Sequence, residues 1–268
     1  MIKEAFKNLK KQNRAALALF LTCGDPDIAF TERLIEKISR CGADIIELGV
    51  PFSDPMADGA TIQEASNRAL AAGANVGMIL DMVSRLRSKG VKTPFVLFGY
   101  FNTFFKNGIK ELARRSKESG ANAWLVADLP IEESGEVLPE LKANGLDFIA
   151  LASPTTPLER IKKISKTGSG FLYYVTVAGV TGARDKLPEG FAKRLEEVKG
   201  ASLLPVGAGF GISNYESARA AAKSADCVIV GSKLVDLLYK TRTQFGEDAA
   251  IEEACEFVKT LSSAMIRG

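Results

Sequence analysis

Glu47 stands inside an otherwise apolar, β-favouring run, and the chain then enters a loop carrying Asp54 and Asp58 between Pro51, Pro55 and Gly59. Side chains alternate along a strand, so Ile46, Leu48 and Val50 share one face while Ile45, Glu47 and Gly49 share the other. An ionised carboxylate in a dry interior is costly, and desolvation raises its pKa. Such a group is either paired with a cation or kept for proton chemistry. The chain contains no histidine. This excludes Ser-His-Asp and Cys-His nucleophile activation, His-ligated zinc and imidazole acid–base work. Proton transfer near neutral pH then falls to a carboxylate, Tyr, Lys or Cys, which raises the weight of Glu47.

The elements that must position these groups repeat along the chain. Apolar runs at Ala15–Thr22, Asp44–Phe52, Pro94–Tyr100, Ala123–Leu129, Phe148–Ala152, Phe171–Val177, Ser202–Gly207 and Asp226–Gly231 read as strands. The segments between them show helical periodicity, as in Phe30/Leu34/Ile35/Ile38 and Ile79/Met82/Val83/Leu86. Gly42, Gly90, Gly120, Gly145 and Gly200 read as helix terminators. About eight βα units in 268 residues predict a single α/β domain, residues 1–268, with the (β/α)₈ TIM-barrel fold rather than an open sheet. An extra N-terminal helix (Ile2–Gln12), a short extra helix after strand 2 (Thr61–Ala71) and a C-terminal helix (Ala249–Ile266) complete the prediction.

Barrel enzymes carry their chemistry at the C-terminal ends of the strands. The Gly/Pro-rich polar segments fall there. Gly209-Phe210-Gly211-Ile212-Ser213 follows the seventh strand and Gly231-Ser232 the eighth. Both suit an anion bound by backbone N–H groups and a helix N-terminus. A tight turn with Ser213 as N-cap is the plain alternative for the first. Gly179-Val180-Thr181-Gly182 reads as a further donor, a flap or a surface loop. Phe20, Leu97, Phe98, Leu125, Leu151, Phe171, Tyr173 and Phe210 lie late in their strands or just after them, either as core or as an aromatic pocket.

A net charge of +3 gives no case for nucleic acid or an anionic membrane as partner, yet leaves a phosphorylated small molecule open. The longest apolar run, Ala15–Leu21, is too short for a bilayer. No signal sequence is evident, and Cys23, Cys41, Cys227 and Cys255 form no CxxC pair. They read as reduced thiols of a cytoplasmic protein with no metal site.

Together, Phe20-Leu21-Thr22-x-Gly24-Asp25-Pro26, the Glu47–Gln63 string, Asp128-Leu129-Pro130, Gly179-Val180-Thr181-Gly182 and Gly209–Ser213 resemble the tryptophan synthase alpha subunit family. The resemblance implies retro-aldol cleavage of indole-3-glycerol phosphate to indole and glyceraldehyde 3-phosphate without a cofactor in this subunit. It also implies an αββα heterotetramer with a PLP-dependent beta subunit that receives the indole. By motif, Glu47 is the expected general acid–base and Asp58 the acceptor of the indole N–H, held anionic by its loop. Gly182, Gly209, Phe210, Gly211, Gly231 and Ser232 match phosphate-binding positions. Phe20, Tyr100, Leu125, Tyr173 and Phe210 match the pocket wall, Thr181 the closing flap, and Asp54 the beta-subunit surface. Ala60 stands where the family often has Pro, and Gly207-Ala208 stands where bulkier residues are expected. Another phosphate-binding barrel isomerase, or a non-catalytic activator of a beta subunit, are the rival readings.

Overall fold

The computed structural model describes residues 1–175, 190–209 and 211–267. Its strands are β1 (Ala16–Thr22), β2 (Ile45–Gly49), β3 (Phe95–Gly99), β4 (Ala123–Val126), β5 (Asp147–Phe148), β6 (Ala150–Ala152), β7 (Leu172–Val175), β8 (Val206–Gly209) and β9 (Cys227–Val230). They form one sheet in the order β5-β4-β3-β2-β1-β9-β8-β7-β6, with every pairing parallel. The two ends of that order, β5 and β6, are pieces of one run separated by Ile149. The Ile149 N–H still donates to the Trp124 carbonyl at 2.8 Å. The fifth expected strand is therefore split, and its halves join the barrel from opposite sides to close a (β/α)₈ TIM barrel.

The pleat sorts the strand residues into two cores. Ile46, Leu48, Val50, Leu97 and Trp124 pack outward with helix residues such as Leu34, Ile35 and Leu86. Ala16, Ala18, Ile45, Val96, Leu125 and Ile149 face inward, with Phe98, Leu151 and Tyr173 packed against them. Leu97 thus leaves the set of pocket candidates. The N-terminal helix, Ile2–Lys11, puts Ile2, Phe6 and Leu9 into the same inner cluster. Phe6 meets Phe171 with ring centroids 5.7 Å apart. Phe171 directly precedes β7, so this helix seals the N-terminal mouth of the barrel.

Several boundaries differ from expectation for local reasons. The helix after β2 is Ala60–Ala71, nearly as long as the following Val76–Ser88, and Ala60 is its first residue. That first position accepts Pro or Ala equally well. An unexpected helix, Phe101–Lys106, follows β3 because the Asp128 carboxylate accepts the Phe101 N–H at 2.7 Å. Gly200 lies inside the helix Phe191–Ala201 rather than after it. Ser202 then turns the chain by exchanging hydrogen bonds with Leu204, so β8 begins at Val206 and not at Ser202. No single helix among the described residues is long and apolar enough to cross a membrane.

Candidate active site

The C-terminal rim opens into a cavity of about 860 Å³. Glu47, the central residue of β2, points into the barrel next to Phe20 and Val96, its register partners on β1 and β3. It is fully buried, and neither carboxylate oxygen has a hydrogen-bond partner among the described residues. Desolvation with no compensating donor pushes its pKa up to about 8. The inner face of β2 therefore presents a carboxylic acid that still holds its proton at neutral pH.

Asp58 sits on the cavity wall, half-buried. Burial raises its pKa, and a hydrogen bond from the Tyr100 hydroxyl opposes the rise. That hydroxyl also accepts the Ala57 N–H at 3.1 Å, and the Tyr100 ring stacks on Phe52 at 5.2 Å. Tyr100 is thus a brace behind the Asp58 loop and is not among the residues on the wall. The loop's far end is fixed by the helix Ala60–Ala71, whose Arg68 grips Asp25 at 2.9 and 2.7 Å. Arg242 holds the same carboxylate at 3.2 Å.

Tyr173, on β7, links the two acids. It lines the cavity, and burial together with the charges of both Glu47 and Asp58 raises its pKa well above the ordinary value. Phe20, Phe98 and Leu151 complete an apolar wall beside it, with Phe98 meeting Phe20 edge-on at 5.2 Å. Leu125, fully buried in the inner cluster, lies outside that wall. The rings fit because the strands facing them carry glycine. A Cβ on Gly49 would lie 2.5 Å from Phe20, one on Gly207 2.9 Å from Phe171, and one on Gly209 2.9 Å from Tyr173. This is the physical reason for Gly207 where a larger residue is expected.

Gly209, Gly211, Gly231 and Ser232 border the cavity's other end. Gly231 is the N-cap of the helix Ser232–Phe245, so that turn offers free N–H groups and the positive end of a helix dipole. The turn after β8 differs. Its helix starts only at Tyr215, and Asn214, not Ser213, is the cap, in a capping box with Ser217. Asp54 is exposed and receives a hydrogen bond from the Ser53 hydroxyl, beside the exposed Met56. Thr181, Gly182 and Phe210 lie outside the described residues. Ile131, Arg160 and Lys233 also line the cavity, although nothing in their own side chains announces it in the sequence. Adjacency to Asp128-Leu129-Pro130 and to Gly231-Ser232 is the only signal for Ile131 and Lys233. Among the described residues no cluster of His, Cys, Asp or Glu could hold a metal ion.

Similarity to known proteins agrees with this geometry. The family model described as "Tryptophan synthase alpha chain" matches residues 6–265. The tryptophan synthase alpha chain of Citrifermentans bemidjiense is 47% identical over 267 residues, covering 100% of this chain and 98% of that one. The Geobacter sulfurreducens protein of the same name is 44% identical, covering 98% of each chain. The crystal structure of the Legionella pneumophila alpha chain superposes with a TM-score of 0.90 at 33% identity, covering 98% and 96% of the two chains. The chain belongs to the tryptophan synthase alpha chain family.

Proposed function

We propose that this chain cleaves indole-3-glycerol phosphate to indole and glyceraldehyde 3-phosphate by a retro-aldol reaction, with Glu47 and Asp58 as its catalytic groups. The observation that carries the assignment is one cavity, lined by Asp58, Tyr173 and the Gly209, Gly211 and Gly231-Ser232 turns, at the rim of a barrel whose inner face holds the fully buried Glu47. Glu47, protonated in the resting chain, delivers its proton to indole C3. Asp58 accepts the indole N–H and offsets the positive charge that the ring gains. The resulting carboxylate of Glu47 then takes the proton from the glycerol hydroxyl next to the ring. The C–C bond breaks, its electrons return to the indole, and the carbon that bore that hydroxyl becomes the aldehyde. Glu47 ends with the proton it started with, so no external acid or base is consumed.

The phosphate is held by backbone N–H groups at the Gly231-Ser232 helix start and the Gly209–Gly211 turn, joined by Gly182 and Phe210. Thr181 belongs to the flap that excludes water. Phe20 and Tyr173 flank the indole, with Tyr100 bracing Asp58. The subunit needs no cofactor of its own; PLP belongs to the beta subunit. The Asp54 loop faces that partner in an αββα assembly, and the chain works as a single domain in the cytoplasm.

The test is indole release from indole-3-glycerol phosphate by the full chain, alone and with a beta subunit. Release that rises with the partner is expected. No release in either condition would exclude the assignment and favour another phosphate-binding barrel chemistry.

A further inference from the structure

Beyond the backbone amides that the proposed function assigns to the phosphate, we infer that Lys233 supplies a side-chain cation to that end of the cavity, an inference that rests on the phosphate subsite being where that reading puts it. Lys233 is half-buried and lines the cavity directly after Gly231 and Ser232. It occupies the first turn of the helix Ser232–Phe245. Helical side chains lean toward the N-terminus of their helix, which directs this one back over the turn that Gly231 caps.

The placement is unfavourable on its own terms. The N-terminal end of a helix dipole repels a cation, and this first turn contains no acidic residue to offset it. Asp236, one turn further on, is taken by Lys240 at 2.8 Å. Among the described cavity residues the other charges are Asp58 and Arg160, and Arg160 is neutralised by two bonds to Glu132 at 2.6 and 2.8 Å. No hydrogen bond or ion pair engages Lys233 among the described residues. It is therefore the one uncompensated cation on the described cavity wall, at the point where two other features, exposed N–H groups and the dipole, also favour an anion. A bound phosphate dianion turns this local repulsion into attraction, so Lys233 strengthens selection for phosphorylated over unphosphorylated ligands.

The test measures binding of glycerol 3-phosphate and, separately, of inorganic phosphate and indole to the full chain, by calorimetry and by ligand-induced shift in Tm. Lys233→Gln is expected to weaken glycerol 3-phosphate about tenfold at low salt and to flatten the salt dependence of binding. Inorganic phosphate should weaken in parallel, indole affinity should not move, and the ligand-free Tm should not fall. Lys233→Arg should restore most of the lost affinity. Glycerol 3-phosphate binding within twofold of the parent chain, with unchanged salt dependence, would overturn the inference. So would an equal loss of indole affinity, or failure of Arg to rescue, since both mark a role in packing rather than charge. None of these readouts needs turnover. A chain that binds phosphate through Lys233 but releases no indole would refute the reaction and leave this subsite standing.

Discussion

The two mouths of the barrel are built from the same strands by opposite rules. At the N-terminal mouth the inner layer is apolar, and the helix Ile2–Lys11 closes it by inserting Ile2, Phe6 and Leu9. At the C-terminal mouth, a few residues along the same strands, the inner layer carries Glu47, with no hydrogen-bond partner among the described residues, and opens into a cavity of about 860 Å³. One end stores stability and the other consumes it. A buried unpaired carboxyl costs free energy at every pH where it must ionise, and the closed end must offset that cost.

Substitutions at the two mouths should accordingly fail in different ways. The largest expected effect is at the open end. Glu47→Gln removes the proton carrier and should lower indole release at least about a thousandfold, near the range for a general acid–base. Its fold, checked by circular dichroism, should remain intact, and activation of a beta subunit should persist. Loss of both activities together would make Glu47 a structural residue and erase the contrast.

Phe6→Ala should do the reverse, costing about 3 kcal/mol of unfolding free energy in urea titration while kcat stays near the parent value. A fall in kcat at a temperature where the variant is fully folded would mean that the plug also shapes the site.

The pH dependence of stability sharpens the same point. The folded chain holds the Glu47 proton up to about pH 8, against a reference value of 4.5. This group's contribution is therefore fully present below about pH 4.5 and is lost as pH rises through 8. Gln cannot ionise. Glu47→Gln should thus gain on the parent chain between pH 5 and 8, reaching a few kcal/mol above pH 8, as read from parallel urea titrations at each pH. A difference that stays flat across that window would show that Glu47 is solvated or paired.

The smallest effect belongs to Tyr100→Phe. It removes a hydroxyl that touches Asp58 only from behind, and should lower kcat/KM by up to about tenfold, near the worth of one hydrogen bond. A loss as large as that of Glu47→Gln would mean that Tyr100 itself reaches the substrate.

The rim was legible in the sequence where local rules decide it. Period-2 alternation alone put Glu47 and Leu48 on opposite faces of their strand, and the Gly-rich turns were legible from composition. What stayed hidden depends on partners distant in the chain. The helix Phe101–Lys106 exists because Asp128 supplies its first acceptor from the next βα loop. The split between β5 and β6 arises in closing the ring. Tyr100 braces Asp58 across strands, and Lys233 gains meaning only from the cavity it faces and the pairing of Arg160 with Glu132. The misplaced start of β8 has a smaller cause, a serine hydroxyl competing with the ladder.

The glycines that face Phe20 and Tyr173 have a consequence for how this pocket can change. With Cβ distances of 2.5 and 2.9 Å, a side chain at Gly49 or Gly209 would force Phe20 or Tyr173, both on the cavity wall, to shift. The dimensions of the indole slot are thus written partly in backbone positions behind the rings. A search for altered substrate range confined to contact residues would overlook them, and a glycine-to-alanine change would act as a remote adjustment of pocket width.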